Sequence, residues 1–238
     1  MNDSRLIVIG HYYASRVHNL YEIVNHLTDL DYRVLVWDNN PQHQAAMPTF
    51  LARMQPQVQV VRCPNNPIHG RYLAALIYPE IEYFLFQDDD LILEKDTIEK
   101  LFKAVDNITV DDSDLFYGIE GRKLHWSSDK PYTDAKGVLY PGRADMLVRA
   151  YAGHRRAVIR GMNWILSHGI SPGRCETLLF TKNGILVEGT TFKNLPEHGT
   201  GLCTDSNHWT EIDKFANEHI RPKQLGEGQG WGRKATLI

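Results

Sequence analysis

The chain has 238 residues, of which 42% are hydrophobic, so it is long enough to bury a substantial core as one large α/β domain or two small ones. Its formal net charge of -3, with 23% charged residues, excludes the strong basic excess of a general nucleic-acid-binding protein. Cys63, Cys175 and Cys203 lack the spacing of a disulfide framework or a zinc knuckle, which favours a reducing compartment.

Short apolar runs alternate with amphipathic stretches through the first half of the chain. This alternation predicts βαβαβαβ order, and therefore an α/β fold with a mainly parallel central sheet flanked by helices. The first run, Leu6–Ile9, is too short for a signal sequence or a membrane span, and no later run approaches membrane length, so we predict a cytoplasmic protein. The predicted strands are Leu6–Gly10, Tyr32–Trp37, Val58–Arg62 and Tyr83–Gln87, and the predicted helices are Val17–Leu30, Gln44–Met54 and Ile68–Tyr78.

Polar side chains follow each of the four predicted strands. Because parallel strands end at one edge of a sheet, and ligands bind there, we expect these side chains to line one site. They are His11 and Tyr12 after the first strand, Asp38 to Pro41 after the second, Asn65 and Asn66 after the third, and Asp88 to Asp90 after the fourth.

The triplet Asp88-Asp89-Asp90 directly follows the apolar run Tyr83–Phe86. A hard divalent cation, Mg²⁺ or Mn²⁺, offsets the repulsion between such carboxylates, and it is usually completed by phosphate oxygens of a substrate. The triplet therefore predicts a metal that binds together with a diphosphate. The alternative is a solvated acidic turn before a helix that begins near Lys95, where Asp96 and Glu99 have capping-box spacing.

The pattern weakens beyond residue 105, although the rest still fits one domain over residues 1–223 with a Gly-rich tail or lid over residues 224–238. Ser127–Gly142 is predicted to be a long polar connection. The remaining predicted elements are the strands Leu115–Ile119 and Met146–Tyr151, a short helix over Met162–Ser167 and a helix that starts near Cys175.

Five arginines lie between Gly142 and Gly161, with Asp145 as the only acid. Such a run is either a solvated surface or a contact for an anionic acceptor, because guanidinium groups bind phosphates and carboxylates bidentately. A phosphorylated glycan, a lipid phosphate and a DNA backbone all qualify as that acceptor. The arginines are Arg143, Arg149, Arg155, Arg156 and Arg160.

Several motifs together resemble the exostosin-like GT-A glycosyltransferases of glycosyltransferase family 64. They occur in the order and spacing of that family over residues 5–220. The motifs are Val34 to Trp37 followed by Asn39-Asn40-Pro41, Asn66 with Arg71, the acidic triplet, Gly118–Lys123, and Cys175-Glu176.

The resemblance implies a GT-A fold and a nucleotide-sugar donor, most simply a UDP-sugar. It places the uracil and ribose over the first strand ends, and it assigns the triplet to the ribose and to Mn²⁺ or Mg²⁺. His208 is a further metal candidate, because family members often carry a basic or His-bearing segment there. The implied donor contacts are His11, Tyr12, Asn39, Asn66, Arg71, Asp88 and Asp89, and the implied metal contacts are Asp88, Asp90 and His208.

By the same resemblance, Glu176 lies beside the anomeric carbon, and the sugar is transferred with retention of configuration. Thr177 stands where the family usually has a second acid, which also favours a non-catalytic sugar-nucleotide or glycan-binding module. Two further alternatives stay open: a glycosyltransferase that decorates modified DNA bases, and a nucleotidyltransferase. A nucleotidyltransferase requires a glycine-rich loop after the first strand, whereas Gly10–Arg16 contains one glycine. We predict a metal-dependent hexosyl- or N-acetylhexosaminyltransferase with an unidentified acceptor.

Overall fold

The apolar runs form strands of one mixed sheet in the computed structural model, which describes residues 4–11, 14–39, 58–63, 68–107, 115–137, 142–169, 180–181, 184–196 and 206–221. The predicted helices over Gln44–Met54 and near Cys175, and the predicted tail over residues 224–238, lie outside the described residues. The strands are β1 (Arg5–His11), β2 (Val34–Asp38), β3 (Val58–Arg62), β4 (Tyr83–Asp88), β5 (Leu91–Leu93), β6 (Phe116–Lys123), β7 (Lys136–Gly137), β8 (Met146–His154), β9 (Ile185–Leu186) and β10 (Phe192–Asn194).

The helices connect and cover these strands. They are α1 (Val17–Asp29), α2 (Ala74–Ile77), α3 (Lys95–Asp106), α4 (Arg155–His168) and α5 (Ser206–Phe215), with 3-10 turns over Ala14–Arg16 and Ile68–Leu73 and a π-helical turn over Ala216–Ile220. No helix within the described ranges is long and apolar enough to cross a membrane.

The main sheet runs in the order β3-β2-β1-β4-β8-β6, and both β7 and β9 pair with β6. Strands β3, β2, β1 and β4 are parallel, as the alternation predicted, whereas β8 is antiparallel to both β4 and β6. A second, two-stranded sheet pairs β5 with β10. The prediction of a mainly parallel sheet flanked by helices is therefore confirmed.

Both faces of the sheet are buried at β1, β2 and β4, which explains why these strands are largely apolar runs rather than alternating ones. On one face, Ile7 and Ile9 of β1 pack with α1 and α3. On the other face, Leu6 and Val8 pack with α2, α4 and Tyr72. Each large apolar side chain buried in this way contributes about 1.5–3 kcal/mol.

Helix α4 corrects the predicted short helix over Met162–Ser167. It begins seven residues earlier, at Arg155, where the His154 side chain caps it by accepting a hydrogen bond from the backbone N–H of Arg156 at 3.0 Å. Gly161 obscured this continuity in the sequence, but it is needed for packing because a Cβ there would lie 2.4 Å from the Phe180 ring. The predicted helix over Ile68–Tyr78 is likewise a 3-10 turn followed by the short α2.

Helix α5 closes a third, smaller core with the outer end of β6. Ile212 and Phe215 pack there with Leu124, Tyr132 and other apolar side chains. The carboxylate of Asp213 also accepts hydrogen bonds from the backbone N–H groups of Tyr132 at 2.6 Å and Thr133 at 3.2 Å. Helix α5 thus fixes part of the connection that the sequence predicted to be long and polar.

Candidate functional site

The ends of the parallel strands bring the predicted site residues to one edge, which we call the carboxyl edge. In the sheet register, His11 lies beside Asp38, and Gly10 lies beside Asp88. Neighbouring strands are about 4.8 Å apart, so the polar groups that follow β1, β2 and β4 line a common site. Tyr12, Asn66 and Glu176 lie outside the described residues.

Asp89 is the buried member of the triplet. Its Oδ2 accepts a hydrogen bond from His11 Nδ1 at 2.8 Å, and its Oδ1 accepts from Arg16 Nη1 at 2.9 Å. Burial lowers the pKa of Arg16, but the charges of Asp89 and Asp90 outweigh this effect and raise it. A solvated acidic turn is therefore wrong for Asp89, whose two oxygens anchor the turn to β1 and to the segment that follows it.

The alternative capping-box interpretation is also wrong. Helix α3 begins at Lys95 with Glu94 as its N-cap, and the Glu94 side chain makes no capping hydrogen bond. Asp96 lies inside the first turn and pairs with Lys100 at 2.6 Å. The acids near the start of α3 therefore stabilise the helix independently of the triplet.

Asp88 is the most exposed member of the triplet, with 38% of its side chain accessible. Its Oδ1 accepts from Nη1 of the buried Arg71 at 2.8 Å, and Arg71 Nη2 donates to the Tyr151 hydroxyl at 2.8 Å. That hydroxyl also lies 2.5 Å from the hydroxyl of Tyr72. Gly10 leaves room for the guanidinium, because a Cβ there would lie 3.1 Å from Arg71 Nη1. Arg71 thus supports Asp88 from inside the protein and leaves part of the carboxylate open.

Asp90 lies between two arginines. Its Oδ1 accepts from Arg149 Nη2 at 3.2 Å, and its Oδ2 accepts from Arg16 Nη1 at 3.4 Å. Burial and the charge of Asp88 nevertheless raise the pKa of Asp90, against the opposing effects of Arg149 and Arg16. Asp90 is therefore a carboxylate that a further positive charge would stabilise.

Arg149 reaches Asp90 from an irregularity in β8. Glu120 of β6 faces Val148 and Gly118 faces Tyr151, so β8 carries an extra residue at this point. Arg149 has φ 66°, a left-handed conformation that is unfavourable for a residue with a Cβ. Bulges of this kind redirect side chains next to functional sites. Here the bulge directs the guanidinium to Asp90 and to Glu120, whose Oε2 lies 3.6 Å away.

Asn39 lies at the end of β2 and is buried. Its backbone N–H donates to the His11 carbonyl at 2.8 Å, and its Oδ1 accepts from Trp37 Nε1 at 3.1 Å. These bonds hold the ends of β1 and β2 together beside the triplet. The predicted donor contact of Asn39 stays a prediction.

The predicted metal ligands are brought together only in part. His208 lies in α5 and is buried. Within the part of the chain that the structure describes, no three His, Cys, Asp or Glu side chains form a group that could hold a metal ion, so His208 does not complete one with Asp88 and Asp90. Mg²⁺ and Mn²⁺ sites that use substrate phosphates need only one or two carboxylates. Asp88, which is partly open, and Asp90, which a further positive charge would stabilise, fit that requirement.

The five arginines do not form one patch, which corrects the prediction. Arg149 lies at the carboxyl edge, whereas Arg155 lies beyond the other end of β8, six residues or roughly 20 Å away at 3.3 Å per residue. Arg155 Nε donates to the Ala75 carbonyl at 2.9 Å. Arg156 and Arg160 follow it in α4.

Two contributors to the site were missed in the sequence. Arg16 and Tyr151 make direct contacts with triplet residues or with their partners. Arg149 was included only as part of the acceptor patch. It is, however, the one charged residue in the apolar stretch Met146–Ala152, and a lone charge within a buried strand could have indicated a partner at the sheet edge.

A mostly parallel sheet with flanking helices, and with an acidic triplet at its carboxyl edge, is the architecture found in GT-A glycosyltransferases. Residues 7–162 match the profile of glycosyl transferase family 2, which is well over half of the chain. The chain therefore belongs to glycosyl transferase family 2. The finer resemblance to family 64 is not confirmed, and none of the curated protein sequences compared with the chain matches it.

Solved structures share the fold at low sequence identity. GalNAc-T7 with UDP, GalNAc and Mn²⁺ has a TM-score of 0.58 and 11% identity, over 90% of this chain and 48% of that one. TarS 1–349 of S. aureus in complex with UDP-GlcNAc has a TM-score of 0.50 and 13% identity, over 85% of this chain and 61% of that one. The chain thus spans about half of the first and three fifths of the second.

A third match belongs to another enzyme class. The 4-diphosphocytidyl-2C-methyl-D-erythritol synthase of Anaerococcus prevotii has a TM-score of 0.51 and 9% identity, over 90% of this chain and 98% of that one. At such identities, all three likenesses concern the fold alone.

Proposed function

We propose that the protein is a metal-dependent glycosyltransferase that moves a hexosyl or N-acetylhexosaminyl group from a UDP-sugar to an acceptor. The observation that carries the proposal is the pair formed by Asp88 and Asp90 at the carboxyl edge of a family 2 fold. One carboxylate is open, and the other has a raised pKa within reach of two arginines. Two structural relatives that bind UDP or a UDP-sugar, one of them with Mn²⁺, support the choice of donor and metal.

Asp88 and Asp90 are the residues that would hold Mn²⁺ or Mg²⁺. The bound ion supplies positive charge to the diphosphate as it departs from the sugar. Asp89 does not share that role, because it is buried and its bonds to His11 and Arg16 anchor the turn. Its part is to fix the turn so that the other two carboxylates face the donor. Arg16 and Arg149 add positive charge beside the diphosphate position.

The remaining assignments rest on the sequence. Glu176 is proposed beside the anomeric carbon, and Tyr12, Asn39 and Asn66 are proposed as donor contacts. Retention of configuration rests on the resemblance to family 64, so proton NMR of the first-formed product tests it directly. The cytoplasmic location is part of the same proposal.

Release of UDP from a panel of UDP-sugars tests the donor and the metal together. We expect turnover with Mn²⁺, loss of turnover in EDTA, and at least a hundredfold loss in Asp90→Asn, because removing one transition-state electrostatic contact typically costs that much. Asp106→Asn is the matched control, since this aspartate pairs with Arg5 at the other edge of the sheet. Equal activity of Asp90→Asn and the wild type would overturn the assignment.

A nucleotidyltransferase is the second candidate, because the Anaerococcus prevotii synthase shares the fold over nearly its whole length. The family 2 match supports glycosyl transfer instead. The products separate the two reactions: a nucleotidyltransferase releases pyrophosphate from a nucleoside triphosphate and a sugar phosphate, whereas a glycosyltransferase releases UDP. A sugar-binding module without turnover would bind UDP-sugars and release neither product.

The acceptor follows less directly from the structure. Arg149 lies at the carboxyl edge, and Arg143 lies just before β8 in the chain. A phosphorylated glycan or a DNA backbone would therefore have to contact these two arginines rather than all five. Measuring UDP release in the presence of each anionic polymer tests this part of the proposal.

A further inference from the structure

We propose that Arg149 is a built-in counter-cation of Asp90. Arg149 has to leave the Asp90 carboxylate before a divalent metal binds there, and the guanidinium then binds the diphosphate of the nucleotide. This inference rests on the proposed function, since it takes Asp90 as a metal ligand. It makes Arg149 a positioning residue that couples metal binding to nucleotide binding at the same site.

The contacts of Arg149 show why the two cations compete. Its Nη2 lies 3.2 Å from Asp90 Oδ1 and 3.3 Å from the Asp90 carbonyl oxygen. Asp90 Oδ2 already accepts from Arg16. Both carboxylate oxygens therefore have a guanidinium partner, and a metal ion can bind only by displacing one of them. Two positive charges held about 4 Å apart repel strongly even at the effective dielectric of a protein surface.

Arg149 is better placed to move than Arg16. Arg16 is buried and also donates to Asp89, so its departure would break the anchor of the turn. Arg149 has a second carboxylate at a longer distance, Glu120 Oε2 at 3.6 Å, and its guanidinium lies 5.2 Å from the centre of the Phe192 ring. Arg149 can thus leave Asp90 without leaving its other partners.

The backbone of Arg149 indicates that its position has a use. The left-handed φ of 66° is unfavourable for a residue with a Cβ, and such strain persists where function requires it. The extra residue in β8 is what turns the side chain from the core towards the acidic edge.

A nucleotide diphosphate resolves the competition. It adds negative charge beside the site, and guanidinium groups bind diphosphate oxygens strongly. When Arg149 moves to the diphosphate, the Asp90 carboxylate becomes available to the metal. Metal and nucleotide then bind with positive coupling, which is typically about 5–150-fold for linked sites.

The test measures Mn²⁺ binding in the absence of turnover. The electron paramagnetic resonance signal of free Mn²⁺ reports the binding, with and without UDP. We expect Arg149→Gln to bind Mn²⁺ about tenfold more tightly than the wild type in the absence of UDP, because a competing charge is removed. We also expect UDP to tighten Mn²⁺ binding about tenfold more in the wild type than in Arg149→Gln, because diphosphate oxygens ligate the metal in both proteins but only the wild type has Arg149 to displace. A gain in affinity cannot arise from a damaged fold.

Two variants make the result specific. Arg149→Lys keeps a cation on the same bulge and should bind Mn²⁺ as the wild type does. Arg33→Gln removes an arginine of similar exposure, 27% against 24%, from the other edge of the sheet, and should leave Mn²⁺ binding unchanged. Equal Mn²⁺ affinity of Arg149→Gln and the wild type without UDP would overturn the inference, as would equal coupling in the two proteins.

The test also separates this inference from the proposed function. If Mn²⁺ binds with the expected differences but no UDP-sugar turns over, the role of Arg149 stands and the transfer reaction fails. If UDP is released from a UDP-sugar in EDTA and no protein binds Mn²⁺, the transferase stands, and both the metal dependence and the role of Arg149 are wrong.

Discussion

The two edges of the sheet carry the same kind of ion pair in different surroundings. At the amino edge, Arg33 and Glu80 lie 3.1 Å apart, with side chains 27% and 53% exposed. At the carboxyl edge, Arg16 and Asp89 lie 2.9 Å apart, with side chains 9% and 4% exposed. Distance does not distinguish these pairs, but burial does. Exposed pairs contribute about 0–1 kcal/mol, whereas loss of one partner from a buried pair costs about 3–5 kcal/mol.

Burying charge gives a fold no net stability by itself, since desolvation offsets the attraction between the charges. The triplet at the carboxyl edge nevertheless sets three carboxylates against three arginines and a histidine. Because burial of these charges adds no net stability, the cluster is better explained by ligand binding. Variants at each edge test that explanation.

The largest expected effect is that of Asp89→Asn. The amide keeps the shape of the side chain but removes the charge between His11 and Arg16, which leaves the buried Arg16 guanidinium to its longer contact with Asp90. We expect the free energy of unfolding to fall by about 3–5 kcal/mol in urea denaturation. A loss below about 1 kcal/mol would show that the carboxyl edge is no more sensitive than the amino edge.

Tyr151→Phe should have an intermediate effect. The variant removes the hydroxyl that accepts from Arg71 and that lies beside the Tyr72 hydroxyl, so buried polar groups lose a partner. We expect about 1–3 kcal/mol lower stability and weaker UDP binding, because Arg71 supports Asp88. Tyr83→Phe is the control at the amino end of β4 and should change stability by less than about 0.5 kcal/mol. Equal losses in the two variants would contradict the proposed support.

The cap of α4 at the amino edge makes a pH-dependent contribution. Burial and the charge of Arg156 lower the pKa of His154 below its ordinary 6.5, so the unfolded chain binds the proton more readily than the folded one. The cap therefore stabilises the fold fully above pH 6.5, and its contribution is lost as the pH falls through the lowered pKa. A protonated ring cannot accept the hydrogen bond from the Arg156 N–H.

Replacement by an amide removes that titration. Between pH 7.5 and pH 5, we expect the wild type to lose about 0.5–1 kcal/mol more stability than His154→Asn, because asparagine caps helices without titrating. Urea denaturation at both pH values measures the difference. Parallel losses in the two proteins would show that His154 does not control the cap.

Glu80→Gln should have the smallest effect. The pair with Arg33 is exposed, and its loss is expected to cost at most about 1 kcal/mol. That cost should shrink further in 0.5 M salt, because exposed pairs are screened. A loss as large as that of Asp89→Asn would remove the contrast between the two edges.

The sequence predicted the central strands well because both faces of the sheet are buried at β1, β2 and β4. Val58–Arg62 is found with the predicted bounds, and the other early strands differ by one or two residues at their ends. The acidic edge was also predictable, since carboxylates that directly follow an apolar strand must leave the core at its carboxyl end. The helix over Arg155–His168 was harder to predict. Gly161 lies inside it because Phe180 packs closely there, and a contact with a residue so distant in the chain leaves no local sequence pattern.

The pairing inside the site could not be read from the sequence. Arg16 meets Asp89 across 73 residues, Arg71 meets Tyr151 across 80, and Arg149 meets Asp90 across 59. These pairings depend on the strand order and on a bulge in β8, and neither feature produces a periodic pattern of residues in the sequence. Residue types predicted that charges would gather at the edge, and only the fold shows which charge faces which.

The bonds between Asp213 and the turn at Tyr132 and Thr133 have a consequence for the order of folding. They join residues 81 and 80 positions apart, and they come from a helix that follows the family 2 match, which ends at residue 162. Asp213 follows β1 to β4 in the chain, so during synthesis these bonds can form only after the parallel strands are complete. The parallel strands can therefore assemble while this turn still awaits its anchor. We expect amide hydrogen exchange at Tyr132 and Thr133 to become protected only after the parallel strands are protected.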